Sequence, residues 1–179
     1  MLRPPSPDPI SDPRAYQDHL LGLLGDDDPA EAQAGAVEIW RSLVSRAGGW
    51  IDVRPEPSEW SVLECLGHAV DAEFVTAARY RWILAHDEPP LIGYDQDLWV
   101  DRLHAGRHDD PNELLELLGA LRAANVSLWA GASEEDRRRV GIHAERGPES
   151  FDLLFRMLAG HDRFHVDQAG RALDAVAGS

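Results

Sequence analysis

The chain has 179 residues, 44% of them hydrophobic and 27% charged, which suits one domain with a sizeable core rather than two. Its 32 acidic residues against 17 Lys and Arg leave a formal net charge of −15; this opposes a phosphate backbone or an anionic bilayer, so neither nucleic acid nor membrane is an expected partner. A single cysteine, Cys65, excludes an internal disulfide and a cysteine-based zinc cluster, leaving the eight histidines as the main source of metal ligands.

In chain order, the first eleven residues are proline-rich and lack the apolar run of a secretory signal, so they are expected to be poorly ordered ahead of a single domain over 12–179. No later stretch runs long enough without charge to cross a bilayer, and a cytoplasmic location is the expectation. Asp12-Pro13, Asp28-Pro29 and Asp110-Pro111 each set a capping acid before a proline suited to the first helical position. Ser61-Val62-Leu63-Glu64 has the capping-box form, Ser133-Glu134-Glu135-Asp136 is a shorter variant, and Ser150 precedes a strongly periodic apolar run. These signals predict a short helix near 13–24 and major helices near 29–47, 61–86, 111–131 and 150–177, an all-α four-helix bundle with an extra N-terminal helix. Asp26-Asp27-Asp28 reads as a capping cluster. The connection from Asp87 to Asp110 is long enough to be functional, and its Leu91, Ile92, Tyr94, Leu98 and Trp99 predict packing across the bundle. A second connection, Val140 to Glu149, carries His143 and Gly147-Pro148 and fits a turn or a small hairpin beside the last helix.

The last helix alternates by three and four through Phe151, Leu154, Leu158, His161, His165, Gln168 and Ala172, one inward face. Burying two histidines and a glutamine there costs free energy unless each finds a hydrogen-bond partner or a metal. Two imidazoles one turn apart can converge on one cation at about 2.0 to 2.1 Å from each nitrogen; the plainer alternative is a pair of core histidines bonded to neighbouring helices. The helix opened by Trp60-Ser61 offers one seam through Leu63, Leu66, Val70, Phe74 and Ala77 and a second through Glu64, His68, Asp71, Val75, Ala78 and Trp82. His68 stands at their margin, compatible with a pocket or with an ordinary boundary position. Glu64 is already used by the capping box and is not assigned as a ligand. Asp71, one turn beyond His68, is placed to orient a ligand histidine or act as a base, or simply to be solvated. The chain has no Gly-x-Ser-x-Gly elbow, no Gly-rich phosphate loop, no His-Glu-x-x-His and no Glu-x-x-His, which disfavours serine hydrolases, nucleotide enzymes, zinc proteases and di-iron bundles.

Trp60-Ser61-Val62-Leu63-Glu64 followed by His68, with His161-x-x-x-His165-x-x-Gln168 at the end, resembles the DinB-like superfamily, whose YfiT-like and thiol-transferase-like members are metal-dependent bundles. The similarity runs from about Pro55 to Leu173 and includes Tyr94-Asp95 with Trp99, and His143 with Glu145 and Gly147, closest to the YfiT-like hydrolase branch. The resemblance implies an up-down-type bundle in which His68, His161 and His165 hold one divalent metal ion, zinc first and nickel as the alternative. It also implies a small-molecule substrate, with thiol S-transfer from a low-molecular-weight thiol cosubstrate or hydrolysis as the chemistry, and a homodimer. Three neutral ligands leave the ion an open position, the layout of a catalytic site. Asp71, His143 and Gln168 are then the candidate acid-base or ligand-supporting groups. The contrasting expectation is a non-catalytic metal-binding bundle that serves as a dimeric interaction module.

Overall fold

The computed structural model describes residues 6–106 and 109–178. Its helices are α1 (Pro13–Leu24), α2 (Pro29–Ala47), α3 (Val62–Ala85), α4 (Gln96–Trp99), α5 (Pro111–Gly131), α6 (Glu134–Arg138) and α7 (Phe151–Ala177). The five predicted helices are all present, and the capping residues act as their chemistry requires. Asp12, Asp28 and Asp110 accept hydrogen bonds from the first-turn amides of α1, α2 and α5, and Ser150 does so for α7. Ser61 with Glu64 and Ser133 with Asp136 each form a reciprocal capping box. Ahead of α1, Asp8 Oδ1 accepts from the amides of Ile10 and Ser11; the expectation of poor order over the first five residues lies outside the described residues. No described helix is long and apolar enough to cross a membrane.

α2 and α3 each pack between α5 and α7, so α2 and α3 face one another only weakly across the bundle. This arrangement sets α3 directly beside α7, and those two helices carry the candidate metal ligands. α1 lies on α7, where Gly160 lets the backbones touch: a Cβ there would collide with the carbonyl oxygen of Leu20. Arg163, one turn further along α7, donates from Nη1 to the carbonyls of Leu23 and Leu24 at 2.9 and 3.0 Å, satisfying acceptors that the end of α1 leaves open. Gly160→Ala is expected to destabilise the protein by about 1 to 3 kcal/mol through overpacking. The check is the midpoint of chemical denaturation, and an unchanged midpoint would contradict this close approach.

The core has two apolar halves. One gathers Trp40, Leu43, Leu66, Val70, Leu118 and Leu173, and the other Tyr80, Ile83, Leu91, Trp129, Phe151 and Phe155. Between them, at the middle of α3, α5 and α7, lies a buried polar layer that reaches Gln33 in the second turn of α2. Arg122 donates from Nε to Glu73 at 2.8 Å and from Nη1 to the Gln33 carbonyl at 2.7 Å, and it pairs with Asp162 at 2.6 Å. Asn125 donates to the other Glu73 oxygen at 2.6 Å. The layer corrects the expected first seam of α3, for Glu73 is fully buried while Phe74 is 61% exposed. The charge turns inward because Arg122 of α5 and Asp162 of α7 wait for it there.

Strand signals are weak in the sequence, and the sheet is correspondingly small. β2 (Val140–His143) and β3 (Gly147–Ser150) form the hairpin that the second connection allowed, with Val140 opposite Ser150 and His143 opposite Gly147. β1 (Pro90–Leu91) joins it in parallel, pairing Leu91 with His143. The two connections thereby bind each other, and the first goes on through α4 into a π-helical turn at Val100–His104 that packs on α3.

Candidate metal centre

The capping box at Ser61 and Glu64 starts α3 in a fixed register, and Arg54 locks it by donating from Nε to both Glu64 oxygens at 2.9 Å. Two turns on, His68 is fully buried facing α7, where His165 is buried and His161 half-buried. The Nε2 atom of His161 stands 3.1 Å from that of His68 and 3.1 Å from that of His165, and the three ligand atoms lie within 4.8 Å of one another. An ion bound tetrahedrally at about 2.0 to 2.1 Å from each nitrogen needs them roughly 3.3 Å apart, so the spacing fits. The chemistry of the donor set fits as well. The Gln168 Oε1 atom, which only accepts, lies 2.9 Å from His165 Nδ1; the proton is therefore on Nδ1, and the Nε2 lone pair faces the other two rings. Among the described residues no further His, Cys, Asp or Glu joins this group.

Aromatic rings wall the three histidines. Trp60 lies parallel to His165 at 5.9 Å between centroids and packs on His68 at 5.1 Å. The edge of Phe164 meets His165 at 4.9 Å. From the long connection Tyr94 approaches His68 at 6.5 Å and is backed by Trp99 at 4.6 Å. Behind these walls His68 and His165 are buried, while His161 is half-buried.

The family model of the DinB superfamily matches residues 31–169. The chain belongs to the DinB superfamily. Among solved structures it resembles YfiT from Bacillus subtilis, described as a probable metal-dependent hydrolase with an unusual four-helix bundle topology, with a TM-score of 0.74 over 92% of this chain and 89% of that one. At 16% identity this likeness is one of fold. No curated protein matches the sequence.

In this DinB superfamily member the three supporting residues singled out from sequence fall in different places. Gln168 bonds a histidine of the group directly. Asp71 instead directs Oδ2 to His104 Nε2 at 3.0 Å, and His104 Nδ1 meets Asp109 at 2.8 Å. His104 reaches α3 because Gly67 has no side chain; a Cβ there would come within 2.6 Å of the ring. Nothing in the sequence singled out His104, which sits in the irregular end of the connection; Tyr94 was expected only to pack that connection across the bundle, and Trp60 stood out through the family pattern.

His104 fastens the connection to α3 by charge, and its pKa is raised above 6.5, chiefly by the hydrogen bond it donates to Asp71 and against the opposing effect of burial. A histidine whose folded pKa is raised contributes stability that is fully present below its unfolded value, about 6.5, and lost as pH rises through the folded value. The DinB bundle is therefore expected to lose stability above neutral relative to a His104→Gln variant, whose profile should be flatter over that window. Urea denaturation at a series of pH values checks this, and parallel profiles for the two proteins would contradict it.

His143, the third of these residues, is buried at the end of β2, beside Arg79 of α3. Its pKa is pushed down to about 4, first by burial and then by the charges of Arg146 and Arg79, so the ring is neutral at physiological pH.

Proposed function

We propose that this chain is a metal-dependent enzyme that activates a small nucleophile, water or a cellular thiol, for attack on an electrophilic small molecule. The observation that carries the reading is the convergence of three imidazole Nε2 atoms with no further protein ligand among the described residues. His68, His161 and His165 would hold one divalent ion, with zinc the expected metal and nickel the alternative, since imidazole nitrogen suits both. Such an ion supplies positive charge that favours the deprotonated form of water or a thiol at neutral pH. The chain's own groups do the rest. Gln168 fixes the proton of His165 on Nδ1, which leaves the lone pair on Nε2 as the ligating one. Trp60 and Tyr94 exclude bulk water from the buried side, and half-buried His161 marks the side open to substrate. The hydrolytic form of the reading is favoured by the fold shared with YfiT, described as a probable metal-dependent hydrolase.

The experiment compares metal-free and zinc-loaded protein on an ester panel without thiol. A second panel supplies bacillithiol, mycothiol or glutathione with a chlorinated or maleyl-type acceptor, and His161→Ala serves as control. Turnover that requires the metal and is lost in the variant is expected on one panel. If neither panel shows metal-dependent turnover, the enzyme reading gives way to a metal-binding interaction module.

A further inference from the structure

Arg79 and His143 are two hydrogen-bond donors brought face to face inside the protein. His143 Nδ1 accepts from the backbone amides of Glu145 and Arg146 at 3.2 and 3.4 Å, so the single proton of the neutral ring is on Nε2. That Nε2 atom stands 3.4 Å from Arg79 Nη2. Neither can accept from the other, and the pair is complete only with an acceptor between or beside them. Arg79 is only 6% exposed. Its Nη2 donates to the Ile92 carbonyl at 2.5 Å, while its Nε is buried without an acceptor among the described residues.

The charges nearby do not satisfy it. Glu149 is taken by Arg146, whose Nε and Nη2 donate to its two oxygens at 2.6 and 2.9 Å, and by Gln17 at 3.0 Å. Two guanidinium groups thus act on this one buried carboxylate; the other carboxylate close by, that of exposed Glu145, lies at the rim, its Oε2 within 3.0 Å of where a Cβ on Gly93 would stand. Burying a guanidinium without an anion of its own is costly, and the anion that fits a planar fork beside a ring N–H is a carboxylate.

Three consecutive residues join this cluster to the metal centre. The Ile92 carbonyl accepts from Arg79, Gly93 lies against His143 so closely that a Cβ would come within 3.3 Å of the ring, and Tyr94 packs on His68. We propose that Arg79 and His143 bind a carboxylate of the substrate, which makes the substrate of this centre an anionic small molecule whose reacting end is directed past Tyr94 toward the histidines. The assignment deepens the activated-nucleophile reading and rests on it for the reaction, whereas the binding of the anion can be tested without turnover.

Metal-free and zinc-loaded protein should be titrated with succinate, and with the uncharged succinamide as control, by calorimetry and by observation of the Arg79 Nε–H resonance. Succinate is expected to shift that resonance saturably and succinamide to leave it in place. Arg79→Met should weaken succinate binding at least tenfold, with partial recovery in Arg79→Lys and an unchanged zinc content. Equal responses to succinate and succinamide in the unmodified protein would overturn the assignment, as would undiminished succinate affinity in a folded Arg79→Met variant. The resonance decides the matter if the variant does not fold. Zinc content is measured on the same samples: succinate binding without stoichiometric zinc would overturn the metal-centre reading and leave the anion subsite standing.

Discussion

Replacing His165 with Ala is expected to lower zinc affinity by more than about a hundredfold, beyond the ten- to hundredfold that losing a ligand's outer hydrogen-bond partner costs. His165 is buried, covered by Trp60 and held by Gln168, so no water or neighbouring side chain easily takes the place of its nitrogen. His161→Ala should do the same, and Gln168→Ala should fall in the ten- to hundredfold range because it frees the ring without removing it. The order of these three effects separates a metal centre from a set of core histidines: packing alone predicts lost stability in all three variants and no zinc to lose. Competition with a chromophoric chelator, alongside elemental analysis after gentle purification, measures the series.

Removing Arg122 should have the largest effect on stability. It is the only cation in the central layer among the described residues, held by Glu73 and Asp162 with side chains almost wholly out of water. Arg122→Met leaves both carboxylates buried against each other, and breaking such a pair costs about 3 to 5 kcal/mol. For a chain of this size that corresponds to roughly 6 to 20 °C in Tm, a large share of the 5 to 15 kcal/mol that holds a typical domain together. Burial already raises the pKa of Glu73 even with Arg122 present. Adding Glu73→Leu and Asp162→Leu to the Arg122→Met variant should therefore recover most of the loss, since well-packed apolar replacements of buried ion networks are often neutral or stabilising. Thermal denaturation of the single and triple variants tests this, and a single variant within 1 °C of the parent would contradict it.

The helices were legible because their signals are local: an Asp-Pro pair or a capping box fixes a start within a few residues, and a three-four alternation marks the inward face. The α7 seam holds as read, down to Gln168 on the buried side. The adjacency of His68 to His161 and His165 is another matter. It depends on α3 packing beside α7 rather than α2, which no spacing in the chain states, and in the sequence it rested on the family resemblance. Two groups of residues were illegible for related reasons. Glu73, Arg122 and Asp162 look like surface charges one at a time, and only the packing of α3, α5 and α7 turns them toward one another. His104, Arg79 and β1 gain their meaning from irregular connections, where two-residue pairings and a π-helical turn leave no periodic trace. Asp71 and His143, named from the sequence as acid-base or ligand-supporting candidates, have their contacts with His104 and Arg79.

The most direct test of the metal centre is an anomalous difference map from crystals of the protein loaded with one equivalent of cobalt. The predicted result is one strong peak per chain at about 2.0 to 2.2 Å from the Nε2 atoms of His68, His161 and His165. A peak bound elsewhere, or no ordered peak in crystals that retain stoichiometric cobalt, would contradict it.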